Sequence, residues 1–209
     1  MALVRRLIRI MADLVRIRPA ASVILWRNGA SGAEVLMGQR GAAAVFMPSK
    51  YVFPGGSVDD GDHSEGHLAA TCVARLAQHC GPDAPGPEML AGCALRELAE
   101  ETGLRLAPAA PLAFLFRAIT PAGSPRRFDA RFFLADAEHV PGDSDDFSSA
   151  TDELSHLHWI GLTEARHLDL PFITEVVLAE VASLLAGRPQ PGVPFFDNSG
   201  SAPTFRRLI

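Results

Sequence analysis

Cysteine is scarce and poorly spaced for a structural role. Cys72, Cys80 and Cys93 are the only three. Their odd number and the absence of a CxxC pair argue against a disulfide framework or a cysteine zinc site, and fit a reducing, cytoplasmic setting. Lysine is almost missing, with Lys50 alone beside eighteen arginines, which reads as a composition bias. An excess of positive charge is missing too. Nineteen Lys and Arg face 24 Asp and Glu, for a net charge of −5, which argues against a nucleic-acid partner. No apolar run approaches the roughly 18 residues needed to cross a bilayer, so no membrane partner is expected. The opening MALVRRLIRIMADLVRIRP is cut by Arg9, Asp13 and Arg16 and offers no clean signal-peptide core. Residues 1–17 read as a basic lead-in, helical or frayed, with a membrane-surface helix as the alternative.

What remains is globular. The chain has 209 residues, 48% apolar and 21% charged, enough for one domain with extensions. Residues 21–27 read as a strand closed by an Asn28-Gly29 turn onto a partner at 33–40. A short apolar run, 51–53, stops at Pro54-Gly55-Gly56. One helix is expected near 67–80, followed by GPDAPGP, which permits no regular structure. Helical periodicity covers 89–102 and ends at Gly103, a good residue just past a helix end. Strands are expected at 112–119, 128–135 and 156–160, an acidic loop at 141–152, and helices at 162–168 and 173–186. The proline-rich residues 188–209 read as an irregular tail. Mixed strands and helices predict α/β layers.

The chemistry concentrates in Arg96-Glu97-Leu98-Ala99-Glu100-Glu101-Thr102-Gly103-Leu104. At about 100° per residue, Glu97, Glu100 and Glu101 share one stripe of a helix, away from the apolar side made by Ala91, Leu95, Leu98 and Ala99. Like charges at i,i+4 disfavour a helix, and so does negative charge in its last turn. A bound hard cation such as Mg²⁺ or Mn²⁺ reverses both penalties; a plain solvated acidic face is the alternative.

This string resembles the Nudix box, G-x5-E-x7-R-E-U-x-E-E-x-G-U with U a bulky aliphatic residue. Residues 96–104 supply its whole second half. Gly56 is similar to the box glycine, but the box is then interrupted by 26 residues. Either Glu88, eight positions before Arg96, or Asp62, six after Gly56, fills the first acidic position. An inserted segment at 59–87 is tolerable because loop closure costs only about 0.6 kcal/mol per doubling of length. Its place between the two halves of the site suggests that it borders the substrate cleft. With Phe46-Met47-Pro48, Val52-Phe53-Pro54-Gly55-Gly56 and residues 127–133, the chain resembles the Nudix branch that includes the mammalian peroxisomal coenzyme A diphosphatase and bacterial relatives. The L-L-T-x-R-S signature of shorter CoA pyrophosphatases is reduced here to Arg40.

The resemblance spans residues 18–187. It implies a Nudix fold, with a mixed β-sheet sandwiched between α-helices (α/β/α) and an insertion inside the box. It implies metal-dependent hydrolysis of a nucleoside diphosphate linked to another moiety: CoA or acyl-CoA first, then NADH, ADP-ribose or a nucleotide sugar. A non-catalytic nucleotide sensor is the reading from another class. By position, Glu97, Glu100, Glu101 and the Gly56 carbonyl would hold Mg²⁺ or Mn²⁺, and Arg96 would orient the carboxylates. Glu153 or a box glutamate would act as general base. Arg40, Arg117, Arg127 and Arg131 are candidates for substrate phosphates; Arg127, Asp129 and Arg131 alternate and would share one face of a strand, with a charged, solvent-facing side as the alternative for that face. The partner is thus a small nucleotide diphosphate, and a homodimer stays open. His156 and His158 lack a third zinc ligand. Residues 143–146 lack the glycine and glutamate of an EF-hand.

Overall fold

The computed structural model describes residues 15–209, so the lead-in reading lies outside the described residues apart from its end. The fold is built on β1 (Ile17–Gly29). Its alternating apolar residues face two ways: Val23 and Leu25 into one core, Ile24 into another, all fully buried. That period-2 pattern marks a strand covered on both faces.

Strand β1 makes three ladders. It turns tightly into antiparallel β2 (Gly32–Arg40), with Gly29 opposite Gly32. The turn is therefore Ala30-Ser31, two residues beyond the expected Asn28-Gly29, and Gly32 adopts a φ of 126°. Beyond β3 (Tyr51–Val52), the short β4 (Gly55–Ser57) pairs antiparallel with Ala20–Ser22. Helices α1 (Ala70–Leu76) and α2 (Pro87–Thr102) follow, then β5 (Ala113–Ile119). Strand β6 (Arg127–Asp136) runs parallel to β1 over its length. Strand β7 (Leu154–Gly161) pairs with β2, putting Leu154 opposite Arg40. The chain continues through α3 (Leu162–Ala165) and α4 (Phe172–Leu185). The sheet is mixed: β3, β2, β1, β6 and β5 lie side by side, with β4 joined to β1 and β7 to β2.

The two cores make the layers. Leu90 and Leu98 of α2 pack with Val23, Leu25 and Phe133 on one face. Val177 and Val181 of α4 pack with Ile24, Met37 and Phe116 on the other. Each such buried side chain contributes about 1.5–3 kcal/mol. The α/β/α expectation is met. No helix among the described residues is long and apolar enough to cross a membrane.

Residues 188–209 are not irregular throughout. They form a hairpin of β8 (Val193–Asp197) and β9 (Thr204–Leu208), and β8 extends the sheet beside β5. The prolines mislead because Pro189, Pro191 and Pro203 flank the strands. Pro194 lies inside β8 where it meets β9, and the ladder to β5 starts one residue later, at Phe195.

Candidate active site

Helix α2 starts at Pro87, in the first-turn position where its missing N–H costs nothing. It ends at Gly103, whose φ is 78°. The Thr102 hydroxyl donates to the Leu98 carbonyl at 2.6 Å and accepts from the Leu104 N–H at 3.1 Å, which secures the last turn. Inside the helix, Gly92 lets another segment lie against it. A Cβ there would collide with the His63 backbone, and the Ser64 N–H donates to the Glu88 carbonyl at 3.1 Å.

That contact brings Asp62 to Arg96. Arg96 donates from Nε to Oδ1 at 2.7 Å and from Nη2 to Oδ2 at 3.1 Å. Asp62 is 5% exposed. Burial alone would raise its pKa, but the Arg96 bonds outweigh it and hold the carboxyl below its usual range. Arg96 also donates to Glu97 at 2.8 Å, to Glu100 at 2.9 Å and to the Ser57 carbonyl at 3.0 Å. One guanidinium thus ties the turn after β4 to three acids.

The acids are not all turned to solvent, contrary to the helical-stripe expectation. Glu97 and Glu101 are buried, Glu101 to 2% exposure, while Glu100 is open. The physical reason is β4, which covers this side of α2. The Gly55 N–H donates to Glu101 Oε2 at 2.8 Å. A Cβ on Gly56 would collide with the Glu97 carboxylate, so only glycine admits this approach. Burial raises the pKa of Glu97, and raises that of Glu101 to about 8 despite the Gly55 bond; the neighbouring charges of Glu97 and Glu153 add to the shift in Glu101.

Glu153 is exposed, but its charge acts on both buried glutamates. It precedes Leu154, the partner of Arg40 across β7 and β2. The acidic loop ahead of it is pinned: the Thr151 N–H donates to the Glu100 carbonyl at 2.9 Å, Trp159 Nε1 to the Ser144 carbonyl at 3.1 Å, and Arg27 to Asp145 at 2.7 Å. Arg40 completes the group. Its charge acts on Glu101, and its Nε is buried without a partner.

Carboxylates plus a nearby backbone carbonyl are the donor set of a hard divalent cation, and the glycine strand lets backbone lie directly against Glu97. As placed, no three acids among the described residues converge on one point. Arg96 holds Glu100, and Gly55 holds Glu101. The Gly56 carbonyl accepts a weak bond from the Cys93 thiol at 3.6 Å.

Residues 85–181 match the NUDIX domain family. That match spans a little under half of the chain, and the structural neighbours share its fold. The match begins at residue 85, near the end of the 59–87 segment, so Gly56 and Asp62 lie outside it. A NUDIX hydrolase from Alicyclobacillus acidocaldarius is 28% identical with a TM-score of 0.59, covering 81% of this chain and 93% of its own. An Ap4A hydrolase from C. elegans (19%, TM-score 0.53, 82% and 99% covered) shares the fold. So does the NUDIX domain of Shewanella oneidensis NrtR, solved with ADP ribose (14%, TM-score 0.55, 81% and 89% covered). No curated protein matches the chain. The matched domain and these neighbours support a pyrophosphohydrolase.

Asp62 rather than Glu88 is the acid paired with Arg96. The other arginines lie elsewhere. Arg117 and Arg131 are buried and share Asp129, at 2.7 and 3.0 Å. Arg117 also donates to the Gln78 and His79 carbonyls at 2.9 and 3.2 Å. Arg127 donates to the Thr120 and Asn198 carbonyls at 3.1 and 2.9 Å. These three tie the inserted segment and the C-terminal hairpin to the sheet. The segment meets the acids only at its start, through Asp62; its middle packs on Arg117, and Leu76 enters the core. His158 bonds the His156 carbonyl and stacks edge-on against Tyr51.

Proposed function

We propose that the chain hydrolyses the pyrophosphate bond of CoA or acyl-CoA, yielding 3′,5′-ADP and (acyl)phosphopantetheine, with Mg²⁺ or Mn²⁺ bound at Glu97, Glu100, Glu101 and the Gly56 carbonyl. The observation that carries the hydrolytic part is the burial of Glu97 and Glu101 against the Gly55-Gly56 strand. Buried carboxylates facing each other are costly unless a cation joins them. The CoA preference rests on the resemblance of residues 46–56 and 127–133 to the coenzyme A diphosphatase branch.

The metal supplies Lewis acidity and lowers the pKa of attacking water. Arg96 holds Glu97 and Glu100 in register with the β4 strand. Arg40, with an unpartnered Nε beside Glu101, offers a fork to a phosphate oxygen. Glu153, exposed and within electrostatic reach of the acids, accepts the proton of the attacking water. Water adds to one phosphorus, the bridging P–O bond breaks, and the phosphate fragment of lower basicity leaves. Other nucleotide conjugates are the second reading. ADP-ribose leads among them, because the Shewanella domain of the same fold was solved with that ligand.

The test is turnover of CoA, acyl-CoA, NADH, ADP-ribose and nucleotide sugars with Mg²⁺ or Mn²⁺, with 3′,5′-ADP followed by chromatography. Highest kcat/KM on CoA or acyl-CoA is expected. Preference for ADP-ribose would move the assignment to the second reading, and binding without turnover would make the chain a sensor.

A further inference from the structure

Arg131 is the largest of the fully buried side chains among the described residues, only 1% exposed. It stands directly opposite Arg117 across β6 and β5, and Arg117 is buried as well. The two guanidiniums share one carboxylate, Asp129. Arg117 is satisfied: it donates to both Asp129 carboxylate oxygens and to the Gln78 and His79 carbonyls. Arg131 is not. Its Nη1 donates to the Asp129 carbonyl at 2.8 Å and lies 3.0 Å from the Asp129 carboxylate. The other edge of the planar group, Nε and Nη2, meets no oxygen among the described residues. Nε has no partner, and Nη2 reaches only the sulfur of Cys80, at 3.7 Å.

Such an edge is costly. Two buried positive charges answer to one negative charge, and a guanidinium N–H without an acceptor forfeits its hydration. Burial pushes the Arg131 pKa down; Asp129 opposes that shift, and the charge of Arg117 adds to it. What the edge lacks is an acceptor oxygen, and the group beside it is a thiol. Cys80 follows α1 in the inserted segment and is half-buried, so a small reagent can reach it. Its thiol donates to the Leu76 carbonyl at 3.0 Å, which leaves the sulfur lone pairs to the guanidinium. The segment is held in place around it. Arg117 grips the two carbonyls just before Cys80, and the Ile209 N–H donates to the Gln78 side chain at 3.2 Å. The other two cysteines are placed differently. Cys72 is half-buried but packs against the apolar core on the α2 face, and Cys93 is fully buried.

A partly open thiol beside guanidinium groups is the setting in which cysteine reacts. We propose that Cys80 is a site of reversible oxidation by peroxides, with Arg131 as the group that receives the oxidised sulfur. The sulfur attacks one peroxide oxygen. An S–O bond forms as the O–O bond breaks, and the sulfur gives up two electrons. The thiol proton goes to the departing oxygen, which leaves as water, or as an alcohol from an alkyl hydroperoxide. The product is a sulfenic acid, and its oxygen supplies the acceptor that the Nε–Nη2 edge of Arg131 lacks. A small thiol reverses the change: its attack on the sulfenic sulfur releases water and leaves a mixed disulfide, which a second thiol reduces. The site is separate from the acids of α2, and the inference stands apart from the hydrolytic reading.

The experiment treats the full-length protein with hydrogen peroxide in the presence of dimedone, which traps sulfenic acids, and follows each cysteine by peptide mass spectrometry. Cys80 should be labelled at least about fivefold faster than Cys72, with Cys93 slowest. Arg131→Lys keeps the positive charge but removes the Nε–Nη2 edge, and it should bring Cys80 to within about twofold of Cys72. Without dimedone, dithiothreitol should return the peroxide-treated protein to its reduced mass. Labelling of Cys80 no faster than Cys72 in the folded wild type overturns the inference, whether or not the variant folds. So does an Arg131→Lys protein that keeps the wild-type circular dichroism spectrum and an unchanged Cys80 rate. A mass that dithiothreitol does not restore overturns the reversible step.

Discussion

Arg96 grips Asp62 through two parallel N–H···O bonds although 34 positions separate them. The pair ties the turn after β4 to α2. Removing Asp62 leaves Arg96, only 27% exposed, without its bidentate partner. Asp62→Ala should cost about 1.5–3 kcal/mol of stability, the range for hydrogen bonds to charged groups, and lower kcat as the glutamates lose their register. Glu88→Gln should change neither. Denaturant unfolding and initial rates on both variants decide it; equal losses would return Glu88 to the box.

Burial sets a pH dependence for the metal-free protein. Glu101 titrates near 8 when folded, above the 4.5 of an ordinary glutamate. Between these values the folded state binds more protons than the unfolded state, so this group's contribution to stability falls as pH rises from about 4.5 through 8. A divalent cation requires the ionised form, so its stabilising effect should grow over the same window. Melting temperatures in EDTA should decline from pH 5 to 8 more steeply for the wild type than for Glu101→Gln, and the Mn²⁺-induced shift should rise with pH. Glu101→Gln should also lose activity by a factor on the order of 10²–10³.

Gly56 tests the close approach of β4 to α2. A methyl group there has no room beside the Glu97 carboxylate. Gly56→Ala should displace Glu97 or the strand by a fraction of an ångström or more, and misplacement near 1 Å costs about a hundredfold in rate. The circular dichroism spectrum should be retained while kcat falls. Undiminished kcat would mean that the strand and Glu97 need not touch.

Periodicity announced α2, α4 and the strands of the central sheet, because each has a clear buried face. It also placed Glu97, Glu100 and Glu101 on one stripe. It missed that two of them are buried, since β4 is a glycine strand whose contact surface is its backbone, not an apolar side chain. The choice between Asp62 and Glu88 depended on a contact across the insertion. Gly92 in mid-helix was its one local sign, because a glycine there marks a place where backbone can approach. The β8–β9 hairpin stayed hidden behind prolines that proved to be mostly flanking residues. Alternation of Arg127, Asp129 and Arg131 correctly put them on one face, but spacing alone does not tell whether a face is open or covered.

That last distinction separates the arginines experimentally. Arg117 is 3% exposed, bonded to Asp129 and to two carbonyls of the inserted segment. Its role here is to hold that segment on the sheet. Replacing it with Met leaves two carbonyls and part of a buried carboxylate unpaired, a loss of about 3 kcal/mol. In a chain of this size that amounts to a drop of roughly 6–12 °C in Tm. Arg40 differs, because its Nε has no partner to lose. Arg40→Met should leave Tm within about 2 °C, since no paired bond is broken there, and raise KM for diphosphate substrates about tenfold or more, as loss of a charged phosphate contact does. The contrast is read by pairing thermal melts with KM on the same two variants. A large KM effect at Arg117 with an unchanged melt would place phosphate under the inserted segment and move the substrate to the other side of the sheet's edge from where Arg40 puts it.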